Sequence, residues 1–141
     1  MPRVRVSQRL DYTLRMLVAL GRLPAGESAA AGELASALGL PRRVGEQQMT
    51  ALAKAGLVES RRGAGGGFSL ARPAVEITVH DVVRTVQGDA LDVPRSSGSA
   101  TAEFWGSVAR ALEDRLDAVT ISDLAYRQQQ LDVEATPMYF I

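Results

Sequence analysis

The chain has 141 residues, 46% hydrophobic and 23% charged, enough for one globular domain or a small domain with an appendage. It contains no cysteine and one histidine, which excludes disulfides, zinc–thiolate sites and cysteine nucleophiles and leaves any metal to oxygen ligands. The formal net charge is zero, yet residues 1–73 hold 10 Arg and 1 Lys against 5 acids, while residues 74–141 hold 5 Arg against 11 acids, a split of +6 and −6 that marks the first half for a polyanion.

The opening stretch "MPRVRVSQRLDYTLRM" meets arginine or aspartate before any apolar run reaches signal-peptide length, and no run of about 18 apolar residues follows. The expected location is the cytoplasm, with no membrane partner. From Ser7, which is placed to cap a helix, Leu10, Leu14, Leu17, Val18 and Gly21 recur at helical spacing until Pro24. Residues 30–38, "AAGELASAL", read as a short second helix ended by Gly39. Pro41 opens a third through "RRVGEQQMTALAKA", stopped by Gly56. Val44, Met49, Leu52 and Ala53 are its expected inward positions, leaving Arg42, Arg43, Glu46, Gln47 and Thr50 for the exposed face. Two helices joined by a four-residue turn behind a longer one form a helix-turn-helix arrangement.

Next come "LVES", a strand, "RRGAGGG", a turn, and "FSLARP", a returning strand stopped by Pro73. The glycine tract is not a phosphate cradle. Both the P-loop and the dinucleotide fingerprint require glycine where Phe68 stands, and no helix follows. Glycines here instead allow a hairpin tip whose backbone, at Gly65 and Gly66, approaches closely whatever it touches. Helix, helix, helix, strand, loop, strand is the order of a winged helix.

Thr78 is placed to cap "VHDVVRTVQ", a valine-rich helix ended by Gly88. Residues 89–100 read as a loop, and a further helix spans about 102–118. Its apolar stripe, Trp105, Val108, Leu112, Leu116 and Val119 with Phe104 beside it, is large for so small a protein, and suits pairing with a second copy. "ISDLAYRQQQ" reads as a shorter helical segment, and the chain ends in apolar "PMYFI".

Residues 54–88, "KAGLVESRRGAGGGFSLARPAVEITVHDVVRTVQG", resemble the IscR/NsrR-like family of bacterial winged helix-turn-helix transcriptional regulators, typified by the iron–sulfur cluster assembly regulator and the nitric-oxide-sensing repressor. The likeness extends to Pro41, Glu46, Gln47 and Tyr12 and covers roughly residues 5–125. It implies a homodimer on double-stranded operator DNA, with the recognition helix in the major groove, the wing in the minor groove and the long C-terminal helix joining the subunits. Carried across, the wing arginine is Arg62 and the recognition pair is Glu46 and Gln47. Many members hold a cluster on three cysteines in the loop that here reads "GDALDVPRSSGSA". With no cysteine, thiolate ligation of a cluster is not available, and no cofactor is expected.

Arg43 and Gln47 lie four apart and share a helix face; arginine pairs bidentately with guanine and glutamine with adenine. Arg42 beside them suits phosphate. Arg61 and Arg62 both stand at the wing, where a narrow minor groove has its strongest negative potential, and the residues alone do not rank them. Ser7, Gln8 and Arg9 offer donors to phosphate oxygens or serve only to cap and solvate the first helix. Gly45, inside a helix, reads as tolerated slack, His80 as a solvated histidine, and loop 89–100 with the tail as borders of a pocket for an unknown small-molecule effector.

These readings predict a mainly α fold with a small β-hairpin: a winged helix-turn-helix domain with its following helix over 1–88, a loop over 89–100, and a dimerisation helix with tail over 101–141. The expected function is sequence-specific transcriptional regulation, as a repressor on a near-palindromic operator, with no enzyme chemistry. A protein-interaction module is the rival, separable by weak, sequence-blind DNA binding.

Overall fold

The computed structural model describes residues 6–62, 66–89, 91, 93 and 98–136. Among these residues six helices and one hairpin follow in the order α1 (Gln8–Gly21), α2 (Ala31–Ala37), α3 (Arg42–Lys54), β1 (Val58–Arg61), β2 (Gly67–Leu70), α4 (Val79–Gln87), α5 (Ala100–Asp117) and α6 (Ile121–Ala135). A 3₁₀ turn, Ala74–Glu76, links the hairpin to α4.

One core gathers the inward faces of these elements. Met16 and Leu17 of α1, Met49 and Leu52 of α3, Val82 of α4, and Ile77 and Ile121 from the segments before α4 and at the start of α6 are all fully buried. Each such side chain contributes about 1.5–3 kcal/mol by leaving water. Leu34 and Ala35 bring α2 into the same cluster.

Helix α3 buries Met49 and Leu52 as its periodicity predicts, but Gly45 and Gln48 are buried with them, whereas Val44 and Ala53 are only partly covered. Gly45 is not slack. A Cβ there would stand 2.8 Å from Ala35 Cβ and 3.0 Å from the Ala31 carbonyl oxygen, so glycine is what lets α3 lie against α2. Gln48 reaches α1, its amide 3.2 Å from the buried Thr13 hydroxyl. Thr13 has one hydroxyl proton and gives it to the Arg9 carbonyl at 2.7 Å, so the amide's NH₂ is the end that suits Thr13 as acceptor.

The hairpin pairs antiparallel, with Val58 opposite Leu70 and Arg61 opposite Gly67. A further backbone pair joins it to the segment before α2: Ala29 N–H donates to Phe68 O at 2.9 Å and Phe68 N–H to Ala29 O at 2.7 Å. Gly67, at φ +151, makes this approach possible, because a Cβ there would lie 2.6 Å from the Ala29 carbonyl carbon and oxygen.

Helix α5 runs back along α4, so that Asp117 at its end meets His80 in the first turn of α4. At 1.5 Å per residue α5 is about 27 Å long and α4 about 14 Å, so roughly half of α5 extends past its neighbour. The apolar stripe is divided accordingly. Leu112 and Leu116 pack on the core of their own chain, while Phe104 and Trp105 are 56% and 44% exposed.

Helix α6 is longer than the sequence reading. Thr120 and Asp123 form a capping box that starts it, and it continues for 15 residues. It lies against α1, where Arg22 pairs with Asp132 at 2.7 Å. The hydrogen bond from Gln128 and the Arg22 guanidinium hold the Asp132 carboxyl below its usual value. Residues 137–141, together with Ala90, Asp92 and residues 94–97 of the loop, lie outside the described residues.

Candidate nucleic-acid interface

Because α3 turns Gly45, Gln48, Met49 and Leu52 inward, its remaining faces carry Arg42, Arg43, Glu46, Gln47 and Thr50, and all five are exposed. Arg43 and Gln47 make no hydrogen bond or ion pair among the described residues, leaving both ends of that pair open to solvent. Arg42 differs. Its Nε is 3.4 Å from Glu46 Oε1, and its guanidinium occupies the space a side chain on Gly32 would need, so it lies across α2. With both partners exposed, that ion pair is worth only a few tenths of a kcal/mol and yields readily to a phosphate.

The two wing arginines, equivalent in the sequence, are separated by the structure. Arg61 Nη1 donates to the Gly26 carbonyl at 3.1 Å and is tied back to the loop after α1. Arg62 is exposed and unbonded among the described residues. Gly66 is partly buried at the foot of β2, and Gly65 lies outside the described residues.

At the start of α1, the Ser7 hydroxyl accepts from Leu10 N–H at 3.1 Å, the geometry of a helix cap. Arg9 donates to the Val86 carbonyl at 3.2 Å, and Tyr12 is partly buried against the core. Ser7 and Arg9 thus each have one partner inside the molecule, with the Ser7 O–H and further Arg9 N–H groups left to donate, whereas Arg43, Gln47 and Arg62 have none among the described residues.

His80 departs from expectation most clearly. It is not solvated but 8% exposed, with Nδ1 2.9 Å from Asp117 Oδ1. The sequence alone does not single out Gln48, and it reads Gly45 as slack and His80 as solvated, because each meets its partner on another element.

Asp81, in the first turn of α4, collects three arginine and threonine contacts. Partial burial alone would raise its carboxyl pKa. The Thr78 backbone N–H, Arg84 at 2.8 Å and Arg72 at 3.6 Å outweigh that and hold it below its usual value.

The sequence profile of the Rrf2 family, described as an iron-dependent transcriptional regulator, matches residues 6–127. The chain belongs to the Rrf2 family. Among its relatives, the transcriptional regulator CymR of Bacillus subtilis is 29% identical over 124 residues, covering 86% of this chain and 90% of CymR. Protein rrf2 of Nitratidesulfovibrio vulgaris is 28% identical over 130 residues, covering 86% and 87%. The solved structure of CymR, the global cysteine regulator of B. subtilis, superposes with a TM-score of 0.78 at 29% identity, covering 87% of this chain and 97% of that one. For IscR of T. potens the TM-score is 0.77 at 29% identity, covering 96% and 93%.

This Rrf2 protein is accordingly a winged-helix, DNA-binding transcriptional regulator rather than an enzyme. It offers no thiolate ligand to the iron of the family description. The chain has no cysteine, its one histidine is buried against Asp117, and among the described residues no three His, Asp or Glu side chains gather to hold a metal. Among the described residues no helix is long and apolar enough to cross a membrane.

Proposed function

We propose that this regulator works as a homodimer joined through α5 and represses by occupying a near-palindromic operator. The carrying observation is the contrast on α3: one face sealed into the core, the other presenting Arg43, Glu46 and Gln47 to solvent. On this reading Arg43 and Gln47 contact base edges, Arg42 and the start of α1 (Ser7, Arg9 and Tyr12) hold phosphate, and Arg62 enters the minor groove, with Arg61 bracing the wing and Gly65 and Gly66 giving it a slim tip. Phe104, Trp105 and Val108 meet the partner subunit, with Leu112 and Leu116 supporting them from the core side. Repression follows from size, since a small dimer lying across two half-sites blocks a promoter without any further contact.

Residues 1–88 then serve DNA reading and 101–141 assembly. No iron–sulfur cluster is held through cysteine, because thiolate ligands are absent. A second reading, regulation by a small molecule, draws support from a groove of about 640 Å³ between α1 and α6, floored by Leu14, Val18, Leu124 and Leu131 and edged by Arg22 and Asp132. Its place differs from the loop-and-tail site expected from the sequence.

Selection of genomic fragments by the purified protein near physiological salt tests the main reading. A shared two-fold site, with half-sites about one helical turn or a multiple apart and preferred about 10³-fold or more over random DNA, is the expected result. Arg62→Ala and Gln47→Ala should each weaken that site by roughly 1–3 kcal/mol, with Gln47→Ala also relaxing base preference. Absence of any enriched sequence would sink the operator reading.

A further inference from the structure

The root of α5 is fastened to the reading head by a compact joint. Val79 N–H donates to Val119 O at 2.9 Å and Ile121 N–H to Ile77 O at 2.8 Å, pairing the two chain segments antiparallel around Thr78 and Thr120. Each of those threonines caps the helix that follows it, with Asp81 and Asp123 closing the two capping boxes. The fully buried Ile77 and Ile121 lie beneath. These contacts fix where α4 and α6 begin. They act beyond the last residue of α5, whose Leu112 and Leu116 rest on the core.

A polar side-chain contact also ties the last turn of α5 to α4, that between His80 and Asp117. Neither residue suits its own helix. Asp117 ends α5, where the carbonyl dipoles disfavour a carboxylate, and His80 sits in the first turn of α4, where they disfavour a cation. Each is accounted for by the other: the imidazole Nδ1 lies 2.9 Å from the carboxylate, on the side of α4 that faces α5. The imidazole is held by burial, while the Asp117 side chain is 53% exposed and can be exchanged without opening the core.

We propose that His80 and Asp117 form a positioning latch that sets the angle at which α5 leaves the reading head, and thereby the separation of the two recognition helices. The proposal rests on the homodimer reading above. With α5 about 27 Å long, a small rotation at its root moves the far end, and whatever is joined there, by several ångströms. The latch is thus a determinant of half-site spacing rather than of base choice.

The test is a panel of synthetic operators whose half-sites are fixed and whose spacer varies by single base pairs, titrated with wild type, Asp117→Ala and Asp117→Asn. The asparagine keeps a carbonyl oxygen for the Nδ1 proton. Wild type should favour one spacer by about 10-fold over its neighbours, Asp117→Ala should flatten that preference to about 3-fold or less with half-site preference unchanged, and Asp117→Asn should restore it. The same spacer profile in Asp117→Ala as in wild type overturns the latch, and so does an equal loss of affinity at every spacing, which marks a merely structural role.

A second readout needs no DNA. Because the chain lacks cysteine, Ser36→Cys on the exposed face of α2 places a single spin label on each protomer. The inter-subunit distance distribution should broaden or shift in Asp117→Ala and return in Asp117→Asn; an unmoved distribution overturns the latch and leaves the regulator reading intact. If wild type itself shows no inter-subunit distance and binds single half-sites, the homodimer reading falls and the latch with it.

Discussion

Helices α3 and α5 both carry an apolar stripe, yet the two stripes meet opposite fates. In α3 every large apolar residue is at least partly covered by its own chain, with Met49 and Leu52 fully buried, and what remains outside is polar apart from Ala51. In α5, 18 residues long, none is fully buried, and its two largest side chains, Phe104 and Trp105, stand in water. A helix whose burial is complete within one chain is positioned by folding. One whose burial is incomplete is positioned by whatever finishes the task, and for α5 a second copy of the same helix fits both the stripe and its placement beyond α4.

The contrast breaks most forcefully from the α3 side. Met49→Ala should lower unfolding free energy by about 2–5 kcal/mol, read from urea melts, because the cavity opens among Met16, Leu52 and their neighbours. On α5 the same kind of truncation should leave the monomer nearly untouched. Phe104→Ser with Trp105→Ser should raise the dimer dissociation constant in sedimentation by about 30-fold or more, roughly 2 kcal/mol, while the fold of each chain persists. A collapse of folding instead would show that these rings complete a core within the chain.

Gly45→Ala sharpens the comparison. Alanine gains about 1 kcal/mol of helix propensity, but the added methyl meets Ala35 Cβ at 2.8 Å with no room to withdraw, so a net loss of about 1–2 kcal/mol is expected in the same melts. The smallest effect concerns pH. The Asp81 carboxyl pKa is depressed in the folded protein, so its contribution to stability is complete above the unfolded value, near 3.8, and is lost as pH falls through and below that value. Asp81→Asn should flatten this acid limb of the stability curve, and an unchanged limb would assign it to other carboxylates.

Order and type of the elements were legible in the sequence because local signals carry them: periodic leucines, Pro41 and Gly39 around the turn, and a glycine tract between alternating strands. The exposed face of α3 was legible for the same reason, since a helix buried on one side must show the other. Pairings between distant segments left no local trace. Gln48 looks like a surface residue until Thr13 of α1 is placed beside it, and His80 looks solvated until α5 returns along α4. Arg61 and Arg62 could not be ranked while the position of the Gly26 carbonyl was unknown. The full length of α6 was readable in principle, because Thr120 and Asp123 stand at capping-box spacing ahead of it.

Phe68, with Gly67 leaving the room, joins the wing to Ala29 ahead of α2 by a two-bond backbone pair, and α2 is the helix on which α3 rests. If the wing lies in the minor groove and α3 in the major groove, as proposed, groove width and base sequence are not read by two independent fingers. A groove that pushes the wing aside pulls on the floor under the recognition helix, so an operator with a poor flank and a poor core should suffer a penalty different from the sum of the two.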